Sequence, residues 1–399
     1  MSPINHDVDK AKPLVVEDAV KERYAAASQA AEAALCCPID YDPKYLAVLP
    51  EEVLERDYGC GDPSRFVREG DVVLDLGSGG GKICFIASQI VGPQGRVIGV
   101  DMTDDMLALA RSHQGTVAER VGWDNVTFHK GQIQDLRTDL DQVETWLNQN
   151  PVSSVEDLAK LSTYKGKFAQ QPMIPDASVD VVVSNCVLNL VGAENRKQLF
   201  SEIFRVLKKG GRAAISDIVS DELVPEHMAN DPELWSGCIS GAMQEREFLQ
   251  AFEDAGFHGV EVAVYTDEAW QTVEGIQFRS VTVQAWKGKQ GPCWERNQAV
   301  IYKGPYKSVL DDDGHVYPRG ARVAVCDKTF GLLQSGPYAD HFVYVEPLEP
   351  IALEDAKPFD CSTPPAASGS ASNVALRDPR QSKGADYRAT IDVCEPGCC

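Results

Sequence analysis

The protein is 399 residues long, and its 60 Asp and Glu residues outnumber 38 Lys and Arg residues, for a formal net charge of −22. At roughly 150 residues per domain, this length allows two or three domains with a substantial core. The acidic excess argues against a nucleic-acid partner, because phosphate backbones attract basic surfaces. The sequence shows no apolar signal segment at its start and no apolar run of about 18 residues, so we expect a cytoplasmic protein with no membrane partner.

The first segment is rich in Ala, Glu and Lys. Residues 14–35 contain no Gly or Pro, a composition that favours a helix ending at Cys36 and Cys37. We therefore assign residues 1–68 to an N-terminal helical segment that holds these two cysteines and Cys60.

Short apolar runs alternate with helical stretches from residue 69 to residue 218. The runs are VVLDL, RVIGVD, VTFHKG, VDVVVSN and RAAISD. This alternation predicts an α/β fold with a doubly wound parallel sheet. A helix over residues 196–209 should end at the Gly210-Gly211 pair. Residues 137–175 are long for a connection in such a fold, so we expect them to carry their own helix, either as a lid or as a surface excursion.

Three further segments complete the chain. Residues 219–290 contain an amphipathic helix and two strand-like runs, VEVAVYT and IQFRSVTVQAWK. Residues 291–350 contain turn signals between short strands and predict a small β-rich module. Residues 351–399 have few large apolar residues and predict a mostly disordered, cysteine-ended tail.

A glycine-rich turn follows the first predicted strand. Its core is Asp75, Gly77, Ser78, Gly79 and Gly81, with a helix directly after it. The glycines let the backbone turn tightly and approach a ligand at the helix N-terminus.

An acidic residue, Asp101, ends the second predicted strand, where it can accept hydrogen bonds from ribose hydroxyls. The spacing D-x-G-x-G-x-G, with Ser-Asn ending the fourth strand, resembles the class I S-adenosylmethionine-dependent methyltransferases. A nicotinamide dinucleotide is the second interpretation.

The 12 cysteines are the other main signal. In a reducing compartment, cysteines are more often metal-binding or catalytic than disulfide-bonded, and none here forms the C-x-x-C pairs of a structural zinc site. Cys84 lies on an apolar helix face, which favours an inert buried thiol. Cys60 and Cys238 are flanked by small residues, and Cys186 follows Asn185 at the carboxyl end of a strand. These three positions suit thiolates converging beside the cofactor on a thiophilic ion.

The motifs YGCG, LDLGSGGG, VIGVDMT, SNCVLNL, FRVLKKGG, SDI and LWSGCISGA together resemble the arsenite S-adenosylmethionine methyltransferases. The likeness runs from about Tyr24 to about Lys287. It implies a class I methyltransferase Rossmann-like fold, with residues 69–218 binding S-adenosylmethionine and residues 219–290 forming an arsenic-binding subdomain.

The resemblance also implies roles for individual residues. Cys60, Cys186 and Cys238 would be the arsenic(III) ligands, and Cys36 or Cys37 would pair with Cys60 in redox cycling. The positions that surround the cofactor in this family are here Tyr58, Asp75, Gly77, Asp101, Met102, Ile133, Gln134 and Asn185.

The function that the resemblance implies is methylation of arsenite and methylarsenite for arsenic detoxification, with glutathione or thioredoxin as reductant. Two other classes remain open from the sequence. One is a class I methyltransferase that acts on a small carbon or nitrogen acceptor, and the other is a non-enzymatic thiol protein that binds metalloids. The cysteines of the last segment, Cys394, Cys398 and Cys399, are either part of an inert end or a capture site for arsenite.

Overall fold

The computed structural model describes residues 39–56, 58–229 and 239–361. The predicted helix over residues 14–35, the cysteines Cys36, Cys37 and Cys238, and the tail beyond residue 361 lie outside the described residues. The chain divides into two compact units, Met1–Lys287 and Gly288–Cys399. None of the described helices is long and apolar enough to span a bilayer.

The first unit is built on one mixed sheet. Its strands, numbered along the chain, are β1 (Val72–Leu76), β2 (Arg96–Asp101), β3 (Val126–Lys130), β4 (Val179–Asn185), β5 (Leu207–Ser220), β6 (Met243–Gln244), β7 (His258–Tyr265), β8 (Gln271–Val273) and β9 (Ile276–Trp286). The main order of the strands across the sheet is β3-β2-β1-β4-β5-β9-β7. The first five strands of this order, β3, β2, β1, β4 and β5, are parallel to one another. This confirms the parallel sheet predicted from the alternating runs.

Helices cover both faces of the sheet. In chain order they are α1 (Pro43–Leu46), α2 (Glu51–Glu55), α3 (Lys82–Val91), α4 (Asp104–Val121), α5 (Leu140–Gln149), α6 (Val155–Gly166), α7 (Arg196–Val206), α8 (Glu226–Ala229) and α9 (Glu245–Asp254). Successive residues of β1 belong to opposite cores, since Leu74 and Leu76 pack with α7 and α9 while Val73 packs with α3 and α4. This two-sided burial explains the continuous apolar runs of the strands.

Two expectations change at β5. The helix predicted over residues 196–209 ends at Val206, because Leu207 already pairs with Val179 in the sheet. The predicted boundary between residues 218 and 219 falls inside β5, and β9 and β7 pair antiparallel to extend the same sheet. Residues 219–290 therefore contribute strands to the same sheet as residues 69–218.

The insert over residues 137–175 carries two helices, α5 and α6, where the sequence predicted one. Trp146 of α5 stacks on Tyr164 of α6, with ring centroids 5.0 Å apart. The two ends of the insert lie side by side, and the Met173 amide donates a hydrogen bond to the Arg137 carbonyl at 2.8 Å. The insert is thus a helical hairpin with its own internal contacts.

The second unit is rich in β-structure, as the sequence predicted. Its elements are β10 (Trp294–Glu295), β11 (Gln298–Tyr302), β12 (Ser308–Leu310), β13 (Val316–Pro318), β14 (Arg322–Val325), α10 (Asp327–Leu333), β15 (Phe342–Val345) and β16 (Lys357–Pro358). A three-stranded antiparallel sheet has the order β14-β11-β15, and β16 pairs with β10. The module therefore extends past residue 350, where the sequence placed the start of the tail.

A buried ion pair joins the start of β1 to β5. Arg212 is 4% exposed, and its guanidinium donates to the Asp71 carboxylate at 2.6 Å and to the Phe66 carbonyl. Asp71→Ala should lower the free energy of unfolding by about 3–5 kcal/mol, because it leaves the guanidinium buried without its counter-charge. Urea unfolding followed by circular dichroism measures the loss.

Lys44→Ala is the matched control for this prediction. It breaks the Lys44–Asp42 ion pair, whose side chains are 64% and 46% exposed, and should leave the unfolding midpoint unchanged. An Asp71 variant no less stable than the Lys44 variant would contradict the assigned role of the buried pair.

Candidate functional site

A cavity lies at the carboxyl ends of β1, β2 and β4, where open α/β sheets bind ligands. It encloses about 1040 Å³, part of it open to solvent. Asp75, Asp101 and Asn185, which end or nearly end these three strands, all line it. The predicted cofactor residues that line the cavity are Tyr58, Asp75, Gly77, Ser78, Gly79, Asp101, Met102, Ile133, Gln134 and Asn185.

Gly81 is the predicted cofactor residue that does not line the cavity. It begins α3 with a left-handed φ of 89°, and a Cβ there would lie 2.9 Å from the Phe128 ring. Its lack of a side chain therefore serves helix packing, as the last glycine of such a turn commonly does.

Asp101 shapes the glycine turn. One of its carboxylate oxygens accepts from the Gly79 amide at 2.9 Å, and the other accepts from the Thr103 amide at 2.8 Å. Burial raises the pKa of Asp101 against the opposite effect of these hydrogen bonds. The carboxylate thus fixes the loop backbone at the edge of the cavity.

Two features of the turn fit a bound nucleoside cofactor. Gly77 has a φ of 69°, and a Cβ there would lie 2.4 Å from a methyl carbon of Val187, so only glycine fits. The Ser78 hydroxyl is buried beside the cavity without a hydrogen-bond partner. Buried hydroxyls normally have a hydrogen-bond partner. The Ser78 hydroxyl therefore marks a position where a polar atom of a ligand would supply the missing hydrogen bond.

The Asn185 side chain holds the loop that carries Cys60. Its carbonyl oxygen accepts from the amides of Cys60 and Gly61 at 2.9 and 3.0 Å. Its amide nitrogen donates to the Gly61 carbonyl at 2.8 Å and to the Tyr41 hydroxyl at 3.1 Å. The sequence assigned Asn185 to the cofactor, whereas the structure directs all four of these hydrogen bonds to the neighbouring protein. This role of Asn185 in holding the Cys60 loop could not be predicted, because the two residues are far apart in sequence.

Two of the three predicted thiolate ligands meet beside the cavity. The sulfur atoms of Cys60 and Cys186 and a carboxylate oxygen of Asp217 all lie within 4.8 Å of one another, and all three residues are buried. Cys186 also lines the cavity and has a left-handed φ of 63°, which is unusual for a residue with a side chain. The third predicted ligand, Cys238, lies outside the described residues.

Asp217 has a role that was not predicted from the sequence. It lies in the SDI motif, and its carboxylate accepts from the amides of Leu188 and Ile218 and from the side chain of Asn189. Burial raises the pKa of Asp217 to about 7, against the opposite effect of these hydrogen bonds. The carboxylate therefore fixes the turn that follows Cys186.

Cys84 is fully buried, as its apolar helix face predicted. Its thiol donates to an Asp75 carboxylate oxygen at 3.2 Å. Burial, with Asp75 nearby, raises the pKa of the thiol well above its usual value, so Cys84 stays protonated and unreactive.

The helical hairpin over residues 137–175 contributes no residue to the cavity lining in the part of the chain that the structure describes. Of the two interpretations left open by the sequence, this geometry favours the surface excursion over the lid.

Comparison with known proteins identifies relatives of both units. A methyltransferase domain family matches residues 68–163 and 152–256, and a domain of unknown function matches residues 289–387. The chain is 32% identical to an arsenite methyltransferase of Aquipseudomonas alcaligenes, over 78% of this chain and 84% of that protein. It is 30% identical to an arsenite methyltransferase of Mus musculus, over 82% of this chain and 78% of that protein.

A solved structure is also similar to this chain. The arsenic(III) S-adenosylmethionine methyltransferase from Chlamydomonas reinhardtii superposes with a TM-score of 0.53 and is 27% identical. The match covers 77% of this chain and 96% of that one. The fold of most of this chain is thus shared with it.

The hydrogen bonds of Asn185 predict how Cys60 reacts. Asn185→Asp replaces the donor that faces the Gly61 carbonyl with a carboxylate oxygen, so the loop should open more easily, at a cost of about 1–3 kcal/mol. Alkylation of Cys60 by iodoacetamide, followed on its peptide by mass spectrometry, should become about 5- to 150-fold faster.

Asn195→Asp provides a matched control with the same change of chemistry. Asn195 precedes α7, and its side chain makes no capping hydrogen bond. This variant should leave the Cys60 rate at the parent value. Equal Cys60 rates in the Asn185 variant and the parent would show that the amide does not hold the loop.

Proposed function

The chain belongs to the arsenite methyltransferase family, and from this premise we propose that its Cys60, Cys186 and Cys238 thiolates hold trivalent arsenic during methyl transfer from S-adenosylmethionine. The observation that carries the proposal is the position of Cys186, which lines the cofactor cavity and also meets Cys60. Two sulfurs at the edge of the cavity favour a thiophilic acceptor over a carbon or nitrogen acceptor.

S-adenosylmethionine supplies an electrophilic methyl group on a sulfonium centre. We assign its binding to the residues of the cavity lining, with Asp101 accepting from the ribose and the glycine turn lying against the nucleoside. Asp75 lies at the methionine end. Met102, Ile133 and Gln134 line the same cavity and would contact the adenosine part.

Arsenite binding needs no oxidant or base beyond the thiols themselves. Each As–S bond forms as one arsenic hydroxyl leaves with one thiol proton as water, and the arsenic stays trivalent. The resulting arsenic–thiolate complex keeps a lone pair on arsenic, and this lone pair is the nucleophile that attacks the methyl group. Leu190, Ile218 and Phe278 surround Cys60 and Cys186 with apolar side chains, so the site excludes water from the arsenic–sulfur bonds.

The protein's contribution to the rate is then mainly orientation. Asn185 holds Cys60, and Asp217 holds the turn after Cys186, so the sulfurs are in place before arsenic binds. Aligning the lone pair, the methyl carbon and the departing sulfur can contribute about 7–11 kcal/mol to the lowering of the barrier.

Methyl transfer takes arsenic from the trivalent to the pentavalent state, so two electrons must return before the same arsenic can accept a second methyl group. We propose that Cys60 and either Cys36 or Cys37 supply these two electrons, because their thiols form a disulfide as the arsenic is reduced. Glutathione or thioredoxin would then reduce that disulfide by thiol exchange. The role of the whole reaction would be arsenic detoxification.

Cofactor affinity tests the assignment of Asp101. Asp101→Ala removes both the support of the glycine turn and the ribose acceptor, so binding of S-adenosylmethionine should weaken by about 1–3 kcal/mol. Isothermal calorimetry gives the dissociation constant. Asp104→Ala is the control, since Asp104 is 61% exposed and begins the helix after the same strand. An unchanged affinity in the Asp101 variant would refute the assignment.

The roles of the three thiolates can be told apart because the two substrates form different numbers of arsenic–sulfur bonds. Arsenite takes three, whereas methylarsenite takes two. Cys186→Ser or Cys238→Ser should abolish methylation of both substrates. Cys60→Ser should abolish methylation of arsenite but keep that of methylarsenite, because two ligands remain.

Chromatographic arsenic speciation measures the products of each variant with each substrate. Calorimetry with S-adenosylmethionine verifies that each variant is folded, and Cys399→Ser is the cysteine control. A folded Cys186 variant that methylates arsenite at the parent rate would overturn the three-thiolate site.

A further inference from the structure

A second cysteine cluster lies in the C-terminal unit, apart from the residues assigned to methyl transfer. The sulfur atoms of Cys293, Cys326 and Cys361 all lie within 4.8 Å of one another, and all three are reduced thiols. The cluster belongs to the segment matched by the domain of unknown function, residues 289–387. Neither the methyltransferase match nor the proposed reaction uses it.

Three separate segments of the chain bring these sulfurs together. Pairing of β10 with β16 places Cys293 beside the end of β16, where the Phe359 amide donates to the Cys293 carbonyl at 2.8 Å. Cys361 follows two residues later. Cys326 caps the N-terminus of α10, with its sulfur accepting from the Thr329 amide at 3.4 Å. Backbone pairing therefore holds Cys293, a helix cap holds Cys326, and Cys361 lies two residues beyond the paired Phe359.

The thiols interact with one another in this cluster. Burial raises the pKa of Cys293, but hydrogen bonds from the thiols of Cys361 and Cys326 and the nearby Lys328 ammonium outweigh it, so the pKa lies below its usual value. Burial and the hydrogen bond to Cys293 raise the pKa of Cys361. The three thiols therefore lie close enough to affect one another, which agrees with the short distances among their sulfur atoms.

The cluster is open on one side. Cys326 is 1% exposed, whereas Cys293 and Cys361 are half-buried. Cys326 and Cys361 also line a narrow pocket together with His315, Tyr317 and Phe359, among others. Solvent therefore reaches the cluster at Cys293 and Cys361.

The number of ligands distinguishes between possible occupants. Structural zinc sites use four protein ligands, and within the described ranges no fourth His, Cys, Asp or Glu joins this group. Trivalent arsenic is satisfied by three sulfurs and carries a lone pair in the fourth direction. Three thiolates also cancel the charge of As³⁺, whereas with Zn²⁺ they would leave a half-buried negative charge.

We propose that Cys293, Cys326 and Cys361 form a second arsenic(III) site, separate in sequence from the methyl-transfer site. The choice of arsenic rests on the proposed function, while the convergence of the three sulfurs does not. Binding forms three As–S bonds, and the three arsenic hydroxyls leave with the three thiol protons as water, with no change of oxidation state. The bound arsenic ties the β10–β16 pair to the start of α10 and stabilises the second unit by mass action.

Protection of individual thiols tests this site in the full chain. The reduced protein is incubated with arsenite alone, alkylated briefly with iodoacetamide, digested and analysed by mass spectrometry. We expect arsenite to protect Cys293 and Cys361 together, at one arsenic per cluster. In Cys326→Ser, the arsenite concentration that gives half-protection should rise by about tenfold or more, because one of three bonds is lost.

The choice of serine keeps the variant folded, since serine is also a good helix cap. A second variant, Cys293→Ser, alters a more exposed position and should raise the half-protection concentration at Cys361 in the same way. The double variant Cys60→Ser/Cys186→Ser should leave protection of the cluster unchanged even though methylation is lost. Failure of the proposed function would instead appear as absent methylation with the cluster still protected.

Three results would overturn the second site. One is equal labelling of Cys293 and Cys361 with and without arsenite. Another is protection that Cys326→Ser does not weaken. The last is protection by zinc chloride at concentrations at which arsenite gives none, which would identify a zinc site.

Discussion

The geometry of the thiol site depends on one side-chain amide, that of Asn185. The parallel sheet fixes Asn185 at the end of β4, directly before Cys186, so the position of one sulfur follows from strand pairing. The Asn185 amide then fixes the position of the Cys60 sulfur, because its oxygen and nitrogen both form hydrogen bonds with the loop of Cys60 and Gly61. Gly59 is required there, since a Cβ would lie 2.0 Å from the amide nitrogen of Asn185.

The same edge of the sheet serves the cofactor cavity and the thiols. Asp101 shapes the glycine turn at the end of β2, and Asp217 in β5 fixes the turn after Cys186. Both are buried carboxylates whose hydrogen bonds go mainly to backbone amides. Their role in the fold is therefore to hold loop backbone in one conformation, which is what an orientation-based mechanism requires.

The sequence predicted the parts that follow from local pattern, and the structure shows why the remainder was out of reach. Apolar runs with glycine turns predict buried parallel strands, and residues at the strand ends fall in the cavity because parallel strands share an edge. The end of α7 at Val206 depends on pairing of Leu207 with β4, which no local pattern contains. The partners of Asn185 and the meeting of Cys293, Cys326 and Cys361 likewise depend on residues distant in sequence.

The left-handed backbone at Cys186 has a consequence for how this chain can evolve. A side chain in that conformation costs on the order of 1 kcal/mol or more relative to glycine. Glycine would relieve this cost, but it would also leave a cavity among the apolar side chains around Cys186, such as Leu190 and Phe278, so its two effects on stability oppose each other. Directed evolution for heat resistance that samples small residues at position 186 therefore needs an activity screen to retain the sulfur.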